Sequence, residues 1–423
     1  MSLRLAASLG ALQAGASMVL GLISIKVTSV YLGPAGLGTL GQLNYFIALT
    51  QGALAAGVHT SLVRRTAELG TADSRRLKVI STGFRLLLIA GLPAGLLIAL
   101  GSPWLARELL HAPDLGAPLL IYAAVFVLGL FTTAILACAG GAKDYRSVAL
   151  THIGGATVSC ILIVVLCPPF GLLGGLIALA ALPAFTVTIA WFLARRNAWW
   201  PERPFSHGFS RSEAAGVMSY LPMALVNTIG APLLQLLIRD DVTAHGGMSA
   251  VGQLQGVMRL SDVYMGIAVS AFVMYYFPRF SEIKSAAELG REVRKGFWIV
   301  ATSTAVIGLL VYLMRDWLIK IIFTPEFNPM RDLFAFQMIG NALKMAGTLF
   351  AYMLLAKVHP FRMALLDATT MLIWWVLARY FIAAHGVVGA TESYAVTHAL
   401  YAIATSLGAF LVLRRLRFAQ SQV

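Results

Sequence analysis

Several stretches of this 423-residue chain run for the length of a membrane-spanning helix with one charge or none. Residues 80–101 contain a single charge, Arg85, whereas residues 148–168 and 171–194 contain no charge at all. A helix needs roughly 20 largely apolar residues to cross the hydrocarbon core of a bilayer. Strands of a membrane barrel would instead alternate polar and apolar residues over about ten positions. The sequence therefore predicts an all-α membrane protein.

Composition supports this class. Hydrophobic residues make up 59% of the chain, charged residues 12%, and the mean hydropathy is +0.80. A soluble domain is closer to half apolar and a quarter charged. Dividing the chain at charges, prolines and glycines predicts about twelve spans, which are 5–32, 39–62, 79–101, 117–141, 147–167, 171–194, 214–238, 247–277, 296–314, 331–356, 361–382 and 386–413.

The basic residues predict how these spans are oriented. With both termini in the cytoplasm, 22 of the 32 Lys and Arg residues fall on the cytoplasmic side, while the loop acids divide evenly. That bias is what orientation by the positive-inside rule produces. The opposite side then receives five basic residues, which are Arg107, Arg239, Arg315, Lys320 and Arg331. We expect an inner-membrane protein with both termini in the cytoplasm, and the net charge of +14 requires no nucleic-acid partner.

Other activities lack their motifs in the sequence. The longest connection, 195–213, is too short for a nucleotide-binding domain, and no GxxxxGK[ST] phosphate loop occurs, so ATP hydrolysis is not expected. The three cysteines, Cys138, Cys160 and Cys167, lie inside apolar runs without metal-ligand spacing. We therefore expect no cofactor and no metal.

Short matches point to an internal repeat. Trp104-Leu105 followed by Pro113-Asp114-Leu115 resembles Trp317-Leu318 followed by Pro325-Glu326-Phe327, and residues 67–70 repeat as residues 287–290. The matches fall at equivalent places in two six-span halves of the same orientation. The sequence thus predicts two six-helix bundles, 1–200 and 201–423, related by a pseudo-two-fold axis along the membrane normal, with substrate in a central cavity between them.

Polar residues inside the spans predict the substrate site. Gln255, Arg259 and Asp262 have i, i+4, i+7 spacing, as do Gln337, Asn341 and Lys344, which places each set on one helical face. Lys26 lies about 10 Å inside the first span, at 1.5 Å per residue. Asn44 and Gln51 lie seven residues apart in the second span.

Charged groups in a span are costly and usually face an interior or a watery cavity. The alternative is that these groups link helices, that Arg259 and Asp262 neutralise each other, and that Lys26 reaches outward to the interface. Otherwise, Lys26, Arg259 and Lys344 form a cationic interior that favours an anion, phosphate groups above all. The polar candidates beside them are Asn44, Gln51, Gln255 and Asn341, and Asp262 is the candidate for ion coupling.

Three segments carry a resemblance to a known family. Residues 31–38 (YLGPAGLG), 259–272 (RLSDVYMGIAVSAF) and 330–344 (MRDLFAFQMIGNALK) resemble Wzx-type flippases, the O-antigen translocases, and among them those that serve enterobacterial common antigen. This family belongs to the superfamily of multidrug, oligosaccharidyl-lipid and polysaccharide exporters. The likeness runs along the whole chain.

The resemblance implies that an undecaprenyl-pyrophosphate-linked oligosaccharide moves from the cytoplasmic to the periplasmic leaflet by alternating access. Lys26, Arg259 and Lys344 would then hold the pyrophosphate while the prenyl tail stays in lipid. A polysaccharide polymerase and a chain-length regulator are candidate partners. The resemblance does not fix the glycan.

Two other functions are compatible with part of this pattern. An ion-coupled exporter of drugs or small sugars would use the same plan, but a cation exporter needs an unpaired intramembrane acid, for which only Asp262 and Asp367 are candidates. A membrane polymerase or ligase would carry a large outer loop with catalytic residues, and the predicted outer loops are short. The sequence therefore favours the flippase.

Overall fold

The computed structural model describes residues 3–70, 75–200, 204–205, 208–219, 221–358 and 360–421. Within these ranges the chain forms helices joined by short turns, and no β-strand occurs. The helices are α1 (Leu3–Leu69), α2 (Arg75–Leu100), α3 (Ser102–Glu108), α4 (Ala117–Gly141), α5 (Tyr145–Ala194), α6 (Arg211–Ser219), α7 (Leu221–Ala271), α8 (Phe277–Glu282), α9 (Ala286–Leu313), α10 (Arg315–Ile322), α11 (Phe334–Lys357), α12 (Pro360–His385) and α13 (Val387–Ser421). A π-helical turn, Phe272–Tyr276, follows α7, and a 3₁₀ helix, Pro325–Leu333, precedes α11.

The three longest helices each bend at one glycine. The backbone is non-helical at Gly33 in α1 (φ 63°), Gly171 in α5 (φ 54°) and Gly247 in α7 (φ 70°). Positive φ is strained for residues with a Cβ and natural for glycine. Divided at these glycines, the described chain contains twelve long helical segments, which lie at the twelve predicted spans. Eight described helices, the bent α1 and α5 among them, are long and apolar enough to cross a membrane.

The bends repeat along the chain with a nearly constant spacing. Gly33 and Gly247 are 214 residues apart, and Gly171 and Gly386, where α12 meets α13, are 215 apart. The short helices α3 and α10 each carry a Trp-Leu pair and also recur at this spacing. The geometry therefore supports the internal repeat that the short sequence matches indicated.

One boundary prediction was wrong. The seventh span was expected to end at residue 238, which placed Arg239 in an outer loop. In the structure α7 continues to Gly247 before it bends, and the Arg239 side chain is fully buried within it. The helix ends where a glycine adopts positive φ and not where the first charged residue occurs, because a buried polar partner can accommodate the charge.

The chain divides into two compact units. The first comprises Met1–Leu32 and Thr39–Leu236, and the second comprises Gly33–Gly38 and Leu237–Val423. Apart from Gly33–Gly38, the second unit thus begins inside α7. The predicted domains, 1–200 and 201–423, and their pseudo-two-fold relation stay a prediction.

The core of the first unit is built on α4, which packs against α2 and α5. Tyr122, Phe126 and Leu130 recur along the buried face of α4 and belong to its hydrophobic cluster. The connection after α5 is hydrogen bonded to α2, since Arg76 donates to the Trp199 carbonyl at 2.7 Å and Ser81 donates to the Pro204 carbonyl at 2.6 Å.

The core of the second unit is built on α11, which packs against α9 and α13. A Cβ at Gly340 would collide with the Tyr394 ring, and one at Gly347 would lie 2.7 Å from Cδ1 of Tyr401. Small residues at such spacing let membrane helices approach closely. This packing brings the polar face of α11 directly against α13.

Candidate functional site

Asn341 is the centre of a buried hydrogen-bond network in the second unit. Its side-chain Nδ2 donates to the Tyr264 hydroxyl at 2.6 Å, and its Oδ1 accepts from the Tyr394 hydroxyl at 2.9 Å and from Gln337 Nε2 at 3.2 Å. All four side chains are at most 9% exposed. The network joins α7, α11 and α13. Lys344 lies three residues beyond Asn341 and therefore on the same face of α11.

Aromatic side chains pack beside this network. The Tyr394 and His398 rings lie 4.2 Å apart, and Trp374 of α12 lies 5.2 Å from the Tyr394 ring. The Lys344 ammonium lies over the Tyr394 ring at 5.8 Å from its centroid. An aromatic face attracts a cation at this distance, so the ring holds the lysine without neutralising its charge.

A second polar pair lies on α7. The buried Arg239 donates through Nη2 to the Oε1 of Gln255 and approaches the sulfur of Met258 at 3.9 Å. Gln255 is 3% exposed. The pair crosses the bend at Gly247, because Arg239 precedes the bend and Gln255 follows it.

One carboxylate lies among the cations. Asp262 interacts electrostatically with Arg259, Lys344 and Arg239, most strongly with Arg259. Its side chain is exposed, whereas Arg259 and Lys344 are half-buried. Among the described residues, none of the ion pairs within 4.0 Å includes Asp262, Arg259 or Lys344. Among the described residues, Asp262 therefore lies in the field of Arg259 and Lys344 without a direct ion pair to either of them.

The predicted site residues divide between the two units. Five of them come together in the second unit, namely Gln255, Arg259, Asp262, Asn341 and Lys344. Three others, Lys26, Asn44 and Gln51, belong to the first unit.

Gln51 has a structural setting there. It and Thr50 hydrogen bond the Tyr122 side chain, and a Cβ at Gly129 would collide with the Gln51 amide. Gln51 thus helps to pack α1 against α4. Lys26 and Asn44 are half-buried.

Sequence reasoning missed Arg239, Tyr264, Tyr394 and the Trp374–His398 pair. Arg239 was assigned to a loop. The two tyrosines lie in apolar stretches of sequence, where an aromatic residue is normally interpreted as a core residue. One signal was available, since Tyr264 lies two residues beyond Asp262 and Tyr394 and His398 have i, i+4 spacing.

The arrangement favours an anionic ligand. Clustered guanidinium and ammonium groups recognise phosphate through charge-assisted hydrogen bonds. Their effect is stronger away from bulk water, where charges are less screened. Among the described residues, no group of His, Cys, Asp and Glu has the geometry of a metal site.

Solved structures share this fold. Residues covering 95% of the chain superpose on 95% of a structure described as the inward-facing conformation of a multidrug resistance MATE family transporter of the MOP superfamily, with a TM-score of 0.76 and 15% identity. A MOP superfamily transporter from Pyrococcus furiosus, described as having a binding pocket of reverse polarity, matches over 99% of this chain and 97% of its own with a TM-score of 0.70 and 15% identity. The fold is that of MOP superfamily transporters, and the prediction of an all-α membrane fold is confirmed.

The family is narrower than the fold. The chain belongs to the polysaccharide biosynthesis protein family, whose model matches residues 31–332. It is 26% identical to the lipid III flippase of Escherichia coli (strain K12) over 395 residues, which cover 93% of this chain and 95% of that protein, and the lipid III flippase of Shigella flexneri matches equally. The resemblance to Wzx-type flippases is thereby confirmed, and the protein is a multi-pass inner-membrane protein of a transporter family.

Proposed function

We propose that this protein is a flippase that moves an undecaprenyl-pyrophosphate-linked oligosaccharide, such as an O-antigen or enterobacterial common antigen repeat unit, from the cytoplasmic to the periplasmic leaflet. Transport would proceed by alternating access of the two predicted six-helix bundles and without ATP hydrolysis by this chain. Arg259 and Lys344 would hold the pyrophosphate, and Lys26 would contribute from the first unit. A polysaccharide polymerase and a chain-length regulator stay predicted partners.

The observation that carries this proposal is the surplus of positive charge around Asp262. Among the described residues, Arg259 and Lys344 both interact with this carboxylate. A diphosphate group would complete the neutralisation of these cations, whereas an organic cation would meet repulsion. Asn341, Gln337 and Tyr264 are hydrogen bonded to one another beside Lys344 and hold the helices that carry these cations.

Transport across liposomes tests the proposal. The purified protein is reconstituted with a fluorescent undecaprenyl-pyrophosphate glycan in the vesicle membrane, and the fraction that becomes accessible on the opposite leaflet is followed over time. Losing a charge-assisted contact of about 1.4 kcal/mol weakens binding of the diphosphate about tenfold. Arg259→Ala and Lys344→Ala are therefore each expected to slow translocation at least about tenfold when the lipid is not saturating.

Matched controls come from exposed cations in the same unit. Arg362 and Lys295 are exposed outside the site. Arg362→Ala and Lys295→Ala should therefore translocate the lipid at the wild-type rate. Wild-type translocation by Arg259→Ala together with Lys344→Ala would contradict the pyrophosphate role.

The second candidate is an ion-coupled exporter of drugs or small sugars. One observation favours it, because the exposed Asp262 carboxylate is not locked in a direct ion pair with a described residue and could exchange a proton or a cation. Overexpression would then raise resistance to cationic drugs, and Asp262→Asn would abolish that resistance. If drug susceptibility is unchanged and the lipid-linked glycan is translocated, the exporter is excluded and the flippase is the remaining candidate.

A further inference from the structure

The second unit contains a carboxylate beside the cations that we propose hold the substrate. Asp262 lies on α7 three residues beyond Arg259, and it interacts with Arg259, Lys344 and Arg239. It is exposed, and no ion pair within 4.0 Å ties it to a described residue. A carboxylate that served only to link helices would be buried and paired, because an unpaired charge inside a bundle is costly.

We propose that Asp262 is an internal counter-ion that occupies the electrostatic place of the diphosphate in the empty transporter and weakens diphosphate binding so that the substrate can leave. This inference rests on the proposed function and adds how the affinity of that site is limited. Asp262 would be a positioning residue of the site that acts through Arg259 and Lys344 without touching the substrate.

The physical reason is that a transporter must bind neither too weakly nor too tightly. Transport requires binding that is favourable enough for entry and weak enough for exit. Arg259 and Lys344 around a diphosphate, with no carboxylate beside them, would form a trap, because close charge pairs away from water interact strongly. One carboxylate in their field lowers the potential of the empty site and repels the bound diphosphate. Both effects reduce affinity and speed release.

The neighbourhood of Lys344 supports this role. Its ammonium lies over the Tyr394 ring at 5.8 Å, so an aromatic face and not a carboxylate positions it. The Asn341 network fixes α11 and α13 beside it without using either charge. The lysine can therefore respond to Asp262 in the empty state and to a phosphate in the loaded state without a change of helix packing.

Equilibrium binding and dissociation kinetics test the inference. The full-length protein in nanodiscs is titrated with undecaprenyl diphosphate that carries no glycan, and with undecaprenol as the uncharged comparison. Asp262→Asn, which keeps the size and removes the charge, is expected to bind the diphosphate about tenfold more tightly, mainly through slower dissociation, which corresponds to about 1.4 kcal/mol. Its affinity for undecaprenol should not change. Translocation at saturating substrate should be slower than in the wild type.

Three variants serve as controls. Asp262→Glu keeps the charge and should bind like the wild type, whereas Asp262→Ser removes the charge with a smaller side chain and should reproduce the tighter binding. Asp367→Asn removes a half-buried acid on α12 of the second unit and should leave the affinity unchanged.

The outcomes separate the two proposals. If the wild type binds undecaprenyl diphosphate no better than undecaprenol, the proposed function itself fails. If the wild type prefers the diphosphate while Asp262→Asn and Asp262→Ser bind it equally or more weakly, the counter-ion role is overturned and the pyrophosphate site stands. If Asp367→Asn tightens binding as much as Asp262→Asn, the effect belongs to total charge and not to Asp262, and the role is again overturned.

Discussion

At the scale of single residues, Asn341 links helices α7, α11 and α13 of the second unit through its side-chain amide. Its amide uses both ends, donating to Tyr264 and accepting from Tyr394 and Gln337. Replacing it by Leu leaves the two tyrosine hydroxyls and the Gln337 amide without this partner. Hydrogen bonds between membrane helices contribute about 0.6 kcal/mol on average and up to about 1.7 kcal/mol each. We therefore expect Asn341→Leu to destabilise the protein by about 1–3 kcal/mol, measured as a lower melting temperature in detergent.

The tyrosines provide a graded control for that measurement. Tyr264→Phe and Tyr394→Phe each remove one bond to Asn341 and keep the ring, so each should lower the melting temperature less than Asn341→Leu does. An Asn341→Leu protein that melts at the wild-type temperature would show that the network contributes nothing to stability.

The sequence predicts part of this site and misses the rest for a definable reason. Gln255, Asn341 and Lys344 stand out because polar residues at helical spacing are conspicuous in apolar helices. Tyr264 and Tyr394 do not stand out, because a hydrogen-bonded tyrosine in an apolar run looks the same in sequence as a tyrosine that only packs in the core. Hydrogen bonds between helices depend on which faces meet, and that information lies in the packing of α11 and not in any one helix.

At the scale of helices and turns, the bend of α1 at Gly33 packs so closely on α7 that only glycine fits. A Cβ at Gly252 would overlap the Pro34 carbonyl, and one at Gly38 would lie 2.6 Å from the Met248 carbonyl. Forcing an extra carbon into such a contact costs about 1–3 kcal/mol. Gly252→Ala should therefore lower the melting temperature and the rate of transport.

Gly266 of the same helix gives the matched control. A Cβ at this position would meet open space. Because alanine is a better helix former than glycine, Gly266→Ala should be neutral or slightly stabilising. If Gly252→Ala and Gly266→Ala behave alike, the close approach at Pro34 is not a constraint.

The short helices α3 and α10 have the composition of interfacial helices. Trp104 is 65% exposed and Trp317 is 67% exposed, and each lies directly after an apolar membrane segment. Tryptophan favours the level of the lipid headgroups. A spin label at Trp317→Cys should therefore report an interfacial depth by accessibility to oxygen and nickel complexes. A label at Leu309→Cys, an exposed position inside α9, should report the hydrocarbon core. Equal depths for the two labels would place α10 elsewhere.

The elements themselves were predictable because bilayer thickness sets their length. The predicted fourth span, 117–141, has the bounds of α4, and the predicted tenth, 331–356, lies within three residues of α11. The end of the seventh span was not predictable from charge alone, since Arg239 is accommodated by Gln255 inside the helix. The sequence signal for the end of this helical segment was the Gly246-Gly247 pair, whose second glycine lies eight residues beyond Arg239.

At the scale of the whole molecule, the distribution of Lys and Arg predicts that both termini are cytoplasmic, and the direction of transport in the proposed function depends on this orientation. The loop acids do not share the bias, so the asymmetry reflects insertion and not the overall charge of each side. The corrected position of Arg239 increases the predicted excess of Lys and Arg on the cytoplasmic side, because one of the five basic residues assigned to the outer side lies inside α7.

Labelling of single cysteines measures the orientation. The native Cys138, Cys160 and Cys167 are buried and should react poorly with an impermeant maleimide, which leaves an introduced thiol as the reactive group. Asp114, before α4, and Lys284, between α8 and α9, are both exposed and were predicted on opposite sides of the membrane. Asp114→Cys should be labelled in intact spheroplasts, and Lys284→Cys only after the membrane is permeabilised. The reverse pattern would invert the molecule, and the cations around Asp262 would then have to load their lipid from the periplasmic leaflet.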